Sequence, residues 1–287
     1  MIKEKIKISQ NLKNSLNNSY KTSVLSVFDN SIDILCDTRI YVLHKKDKYI
    51  TPMSAVCIVS SNSFETIKKE IFYGMKLLNN KLYLGSLCFW QSIWEKDLQI
   101  NKISEQKNIA IFINLFKNIM NKSYFSGVIF QGLRHLENLQ GYSKGDILGE
   151  YFLSQLQHIL SDTFQIYDLY RLIGAGQGLT PSGDDFICGY MAALFFLGSN
   201  DKKVLLTNTI MQHIDKTTLI SQEYLKYAIE GKFNEYVKDL ELILSKINTG
   251  DYLDDLYEII KKIASIGHSS GTDFLAGLYV GLIKEQA

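Results

Sequence analysis

Proline is almost absent from this 287-residue chain, which has only Pro52 and Pro181, and arginine is confined to Arg39, Arg134 and Arg171. Without a proline-rich or serine-rich tract there is no composition-marked linker. So few arginines leave very few positions for a bidentate grip on a carboxylate or phosphate. The four cysteines, Cys36, Cys57, Cys88 and Cys188, sit in apolar stretches without C-x-x-C pairing or metal-ligand spacing. Buried thiols in a reducing compartment are expected rather than a disulfide framework. The 31 basic and 30 acidic side chains nearly cancel, so there is no field to hold nucleic acid or an anionic membrane. The most apolar run, 186–197, is shorter than the roughly 20 residues needed to cross a bilayer. The opening residues MIKEKIKISQNLKNSLNN lack the apolar core and small-residue cleavage site of a secretory signal, and a cytoplasmic protein is expected.

What is present divides into two halves. From Thr22 to Val59 the segments SVLSVF, SIDILC, RIYVLH and SAVCIV are β-branched, alternating and separated by turn-prone residues, which predicts a small antiparallel sheet. Phe64, Ile67, Ile71, Met75 and Leu78 fall at helical spacing, so a helix over 63–78 should cover it. Residues 82–94, aromatic and short-run, fit a strand or a buried helix equally, and Phe89, Trp90 and Trp94 read as core before a partner surface. Helical patterns then dominate: 106–120, 123–139, 146–173, 201–214, 218–229, 234–247 and 251–266. The expectation is an α+β chain with a β-rich part over 1–100 and a helical part over 101–287, the boundary being soft.

Residues 171–189 read RLIGAGQGLTPSGDDFICG and carry five of the chain's 19 glycines. Glycine at this density supplies positive φ angles and close backbone approach. Ser182 is a candidate N-cap with Asp185 three residues on, followed by an apolar helix. A helix N-terminus carries a partial positive charge and unpaired donors, so it attracts small anions; Thr180 and Ser182 add hydroxyls. Asp184 is superfluous to a capping box, and the paired carboxylates suit a bound cation or proton transfer. The turn lacks the G-K-[ST] of a phosphate-binding P-loop, and it lacks the later glycine spacing and preceding strand of a dinucleotide fingerprint. A tight helix-to-helix connection, with capping and nothing more, is the plain alternative.

The pattern returns near the C-terminus as GHSSGTDFLAGLYVG, so that Ser182-Gly183-x-Asp185-Phe186 matches Ser270-Gly271-x-Asp273-Phe274 and Gly189 matches Gly277. Small residues four apart, Gly189 with Ala193 and Gly277 with Gly281, would let the two helix backbones approach closely. The two glycine-containing helices are expected to pack as a pair, bringing Ser269, Ser270, Gly271 and Asp273 opposite Ser182 to Asp185. His268 is either a general acid or base or a surface residue. The remaining histidines form no zinc pattern. Thr217, Thr218 and Ser221 could lend hydroxyls to the pocket or simply cap the helix that ends at Gly231.

The string GxGxGLTPSGDDF followed by GHSSGTDF resembles the AllH-like subunit family of oxamate carbamoyltransferase. The resemblance is specific over 171–190, supportive at 217–231 and 267–277, and faint in the N-terminal half. It implies a multi-subunit transferase of purine and allantoin breakdown that converts oxalurate and phosphate to oxamate and carbamoyl phosphate. The implied partners are small anions (phosphate, carbamoyl phosphate, oxamate) and other transferase subunits, with neither nucleic acid nor membrane. On that reading Arg171, Gly174, Gly176, Gly178, Thr180, Ser182, Gly183, Ser269, Ser270 and Gly271 are candidates to bind the anion, and Asp184, Asp185 and Asp273 are the candidate catalytic carboxylates. No cofactor is assigned, although magnesium on Asp184 and Asp185 stays open. A metal-dependent phosphotransfer or hydrolytic enzyme and a non-catalytic scaffold are the competing readings.

Overall fold

The computed structural model describes residues 5–18, 22–37, 39–45, 48–70, 75–78, 81–84, 87–89, 93–137, 146–246 and 252–286. The chain is α+β and divides into two compact units, Met1–Gln99 with Lys232–Glu235, and Ile100–Gly231 with Tyr236–Ala287.

The first unit opens with strand β1 (Lys5–Ser9) and helix α1 (Gln10–Asn18), followed by β2 (Thr22–Val27), β3 (Ser31–Cys36), β4 (Arg39–Lys45) and β5 (Ser54–Ile58). Strict alternation in β3 buries Ile32, Ile34 and Cys36 on one face, and Tyr41 and Leu43 of β4 join them, as a half-buried strand requires. Helix α2 (Ser61–Glu70) buries Phe64 and Ile67. Three short antiparallel strands follow, β6 (Met75–Leu78), β7 (Lys81–Leu84) and β8 (Leu87–Phe89), then β9 (Ile93–Lys96).

Two expectations are corrected here. The main sheet, ordered β2-β3-β4-β5-β1-β9, is mixed rather than antiparallel, because β4 pairs parallel with β5 and β1 pairs parallel with β9. The helix expected over 63–78 ends at Glu70, and Met75–Leu78 is a strand; the apolar spacing continued past the point where the chain changed period. Strand β1 and helix α1 were missed altogether, although Ile6, Ile8, Leu12 and Leu16 are buried. The expectation that Trp90 is core lies outside the described residues, as do the side chains of Cys88, Phe89 and Trp94.

The second unit is helical among its described residues: α3 (Gln106–Ile119), α4 (Val128–Leu136), α5 (Ile147–Leu160), a 3-10 helix (Ile166–Leu172), α6 (Ser182–Leu197), α7 (Asn200–His213), α8 (Leu219–Ile229), α9 (Glu235–Lys246), α10 (Leu253–Ala264) and α11 (Ser270–Glu285). The helix expected to run unbroken over 146–173 breaks after Leu160 and resumes as the 3-10 turn. Helices α6 and α11 are apolar on all sides and almost wholly buried, which is where an all-round apolar helix has to lie. They pack side by side. A Cβ on Gly189 would overlap the Phe274 carbonyl oxygen, and one on Gly277 would overlap that of Phe186. Glycine is therefore what permits the close approach of the two backbones. Among the described residues no helix is long and apolar enough to cross a membrane.

Candidate functional site

The glycine turn runs from the 3-10 helix into α6. Gly174, Gly176 and Gly178 take φ values of 75°, 122° and 91°, which L-residues with a Cβ rarely adopt. The turn is tied by three hydrogen bonds. The Ala175 amide donates to the Leu172 carbonyl at 3.0 Å, the Gly183 amide to the Ala175 carbonyl at 2.8 Å, and the Gly174 amide to Asp184 Oδ1 at 2.9 Å. Gly183 has no room for a side chain, because a Cβ there would overlap the Leu172 carbonyl oxygen.

These bonds change the expected division of labour. The amides of Gly174 and Gly183 are occupied in folding the turn. Gly271 is similar: its amide donates to the Ile266 carbonyl at 3.0 Å, and a Cβ would overlap the Ile263 carbonyl oxygen. Among the described residues, the amides of Gly176, Gln177, Gly178, Leu179 and Ser182 donate to no protein acceptor. Pro181, not Ser182, stands at the N-cap of α6 and accepts from the amides of Asp184 and Asp185. The capping box expected from Ser182 and Asp185 is not formed. Freed from capping, both side chains are available for other contacts.

The adjacent aspartates have opposite environments. Asp184, 1% exposed, accepts from the Gly174 amide, from Ser221 Oγ at 2.7 Å and from the Thr217 hydroxyl. Burial raises its pKa, and these three donors oppose the rise. It fastens the turn to the segment that starts α8, where Thr218 is the N-cap and accepts from the Ser221 amide at 3.1 Å. Thr217 and Ser221 thus serve Asp184 and not an open pocket.

Asp185 is partly exposed, but its Oδ2 is buried and has no hydrogen-bond partner. Burial raises its pKa well above the ordinary value, with the charges of Asp273 and Asp184 adding to the rise and the hydroxyls of Ser270 and Thr180 opposing it. Those two hydroxyls join the glycine turn to α11, since Thr180 Oγ1 lies 2.9 Å from Ser270 Oγ. Asp273 is 0% exposed, and burial pushes its carboxyl up to about 7 against the Ser182 and Ser269 hydroxyls and the Ile129 amide. These groups lie alongside Asp273 without reaching hydrogen-bond geometry, so both its oxygens remain unpaired. The same burial and the neighbouring charges of Asp185 and Asp184 hold the Cys188 thiol protonated.

A third segment closes on Asp273 that the sequence did not announce. Gly127, at φ 105°, comes so near that a Cβ would sit 2.8 Å from Asp273 Oδ1. The Ser126 carbonyl accepts from the Thr272 hydroxyl, and Ser126 Oγ donates to the His268 carbonyl at 2.9 Å. Nothing around Gly127 in the sequence forms a motif, and its only signal is a glycine between Ser126 and an apolar helix.

Two predicted residues are not brought to this cluster by their contacts. The Arg171 guanidinium is exposed, 3.8 Å from Asp168 Oδ1 and over the Tyr170 ring at 5.8 Å. His268 is exposed and takes part here through its backbone. Among the described residues no three His, Cys, Asp or Glu side chains converge to hold a metal ion. The arrangement therefore offers unpaired amides, beside the Thr180, Ser182 and Ser270 hydroxyls, that favour an anion, next to two carboxyls whose burial favours the protonated form.

The family model of oxamate carbamoyltransferase subunit AllH matches residues 172–282. The matched stretch begins at the end of the 3-10 helix and reaches into the last turn of α11, so it takes in the glycine turn and both S-G-x-D-F segments. Over that stretch, less than half of the chain, the sequence is similar to that family. No solved structure matches the chain.

Proposed function

We infer that this chain is a subunit of an oxamate carbamoyltransferase and that the N-termini of α6 and α11 form its site for small anions. The supporting observation is a coincidence of place: the AllH match spans 172–282, and within it lie the amides and carboxylate oxygens that the fold leaves without partners. In the proposed reaction, phosphate attacks the carbamoyl carbon of oxalurate, giving carbamoyl phosphate and oxamate. Each participant is a small anion. The amides of Gly176 to Leu179 and of Ser182 would hold phosphoryl or carboxylate oxygens, aided by the N-terminal ends of the two helices. The Thr180, Ser182 and Ser270 hydroxyls would take remaining oxygens. Donors fixed in place before reaction stabilise charge developing on the carbamoyl oxygen, an effect commonly worth about 3 kcal/mol per donor.

Asp184 is assigned to holding the turn, and Asp185, with Asp273 behind it, to orienting the carbamoyl nitrogen. The other subunits of the transferase are the proposed partners. The test is reconstitution: oxalurate and phosphate are supplied to the assembled subunits with and without this chain, and carbamoyl phosphate is measured. Product should require the chain and fall about 100-fold with Asp185→Asn, the scale of a lost positioning contact. Full activity without the chain, or with Asp185→Asn, would contradict the assignment.

A further inference from the structure

The two S-G-x-D-F segments answer each other in space. Gly189 of α6 lies against the Phe274 carbonyl of α11, while Gly277 of α11 lies against the Phe186 carbonyl of α6. The exchange repeats at the helix N-termini, where Ser270 of α11 stands beside Asp185 of α6 and Ser182 of α6 stands beside Asp273 of α11. Every one of these contacts has its counterpart when the helices are interchanged, as a local twofold axis between them demands. Equivalent groups that lie near such an axis also lie near each other. Here the equivalent groups are carboxyls, and the charge of Asp273 acts on Asp185.

The pair is also incomplete as protein packing. Asp273 is 0% exposed with neither oxygen paired, and Asp185 keeps a buried, unpaired Oδ2. Among the described residues no lysine, arginine or histidine forms an ion pair with either one. Two neighbouring carboxyls in a shielded site cannot both ionise readily, so the second proton is lost only at much higher pH than the first. The other titratable groups facing them are Asp184, which has three donors of its own, and the Cys188 thiol, both on α6. Among the described residues, α11, the loop at Gly127 and α4 bring to the pair hydroxyls and the Ile129 amide.

We propose that Asp185 and Asp273 work as one acid–base pair that holds a single proton, with Asp185 facing the substrate and Asp273 keeping charge and proton behind it. This rests on the carbamoyltransferase reading and specifies its proton traffic. A phosphate oxygen bonds to the carbamoyl carbon of oxalurate. The bond from that carbon to the oxamate nitrogen breaks, and its electron pair stays on nitrogen. Asp185 gives the pair's proton to that nitrogen, and it then takes up the proton that the phosphoryl group, which entered as hydrogen phosphate, releases, while Asp273 stays behind it. The pair ends with the one proton it began with, so turnover needs no outside acid.

The test reads protonation without turnover, by infrared titration of the carboxyl C=O stretch in the full chain. The wild type should keep a protonated carboxyl band to neutral pH, and the Asp185→Asn/Asp273→Asn double variant should lose it. In Asp273→Asn the midpoint of Asp185 should fall by about one pH unit or more, the scale that marks coupled sites. Asp185→Asn gives the reciprocal reading at Asp273 if Asp273→Asn does not fold. A wild-type band already gone below about pH 5, or midpoints unmoved by removal of the neighbour, would overturn the pair. Because no substrate is present, a chain that titrates as a pair yet supports no carbamoyl transfer would sink the functional reading alone.

Discussion

Replacing Asp273 by asparagine should change how stability depends on pH more than it changes the fold. The carboxyl is 0% exposed, and its pKa of about 7 in the folded chain compares with the ordinary 3.8. Between those values the folded chain keeps a proton that the unfolded chain has released. Its favourable contribution is therefore complete below about pH 4 and is lost as pH rises toward 7. Beyond that, the folded state carries a buried charge, at a cost of up to about 4 kcal/mol for roughly three pH units at about 1.4 kcal/mol each. Asparagine has nearly the same size and never ionises. Chemical denaturation over a pH series should find the variant within about 1 kcal/mol of wild type near pH 4 and more stable by as much as about 4 kcal/mol at pH 8. Parallel curves for the two proteins would show that Asp273 ionises freely and would refute the reasoning.

Three further outcomes follow from the packing. Gly277→Ala sets a Cβ against the Phe186 carbonyl and Cα atoms, and overpacking of about 1–3 kcal/mol should outweigh the roughly 1 kcal/mol gain in helix propensity. Thermal melts should show destabilisation, and a raised melting temperature would mean that the helices are not in close contact there. Asp184→Ala leaves the Gly174 amide and the Thr217 and Ser221 hydroxyls without their acceptor, so urea unfolding should report a loss of about 3 kcal/mol or more; a loss below about 1 kcal/mol would show that the latch is weak. Arg171→Ala should leave phosphate affinity within about twofold in calorimetry, since its guanidinium is engaged with Asp168 and Tyr170 and a lost direct charge contact would cost tenfold or more.

Local patterns were legible to the extent that they reflect local forces. The four strands between Thr22 and Val59 stand where β-branched alternation put them. Which neighbours pair, and in which direction, depends on distant segments, so the parallel partners of β5 and β1 could not be read from composition. Strand β1 was hidden because KIKIS alternates lysine with isoleucine in a lysine-rich start and offers only two apolar residues. In the turn, glycine density signalled the positive φ values at Gly174, Gly176 and Gly178. It could not say which amides were already used, because that depends on Leu172 and Ala175 folding back on Gly183. The roles of Asp184 and Asp185 were equally indistinguishable in the string DD, since three donors from other segments and the opposite face of one helix turn separate them.

The measurement that bears most directly on the account is calorimetric titration of the full chain with phosphate, carbamoyl phosphate and oxamate, beside Gly178→Val. Gly178 has open space around it but a φ of 91°, so a β-branched residue there disturbs the backbone of the turn and crowds nothing. Saturable binding of at least one of these anions, weakened about tenfold or more by Gly178→Val, a loss of about 1.4 kcal/mol, is the predicted result. No binding of any of the three to the folded chain, or equal affinity in the variant, would contradict a small-anion site at the glycine turn.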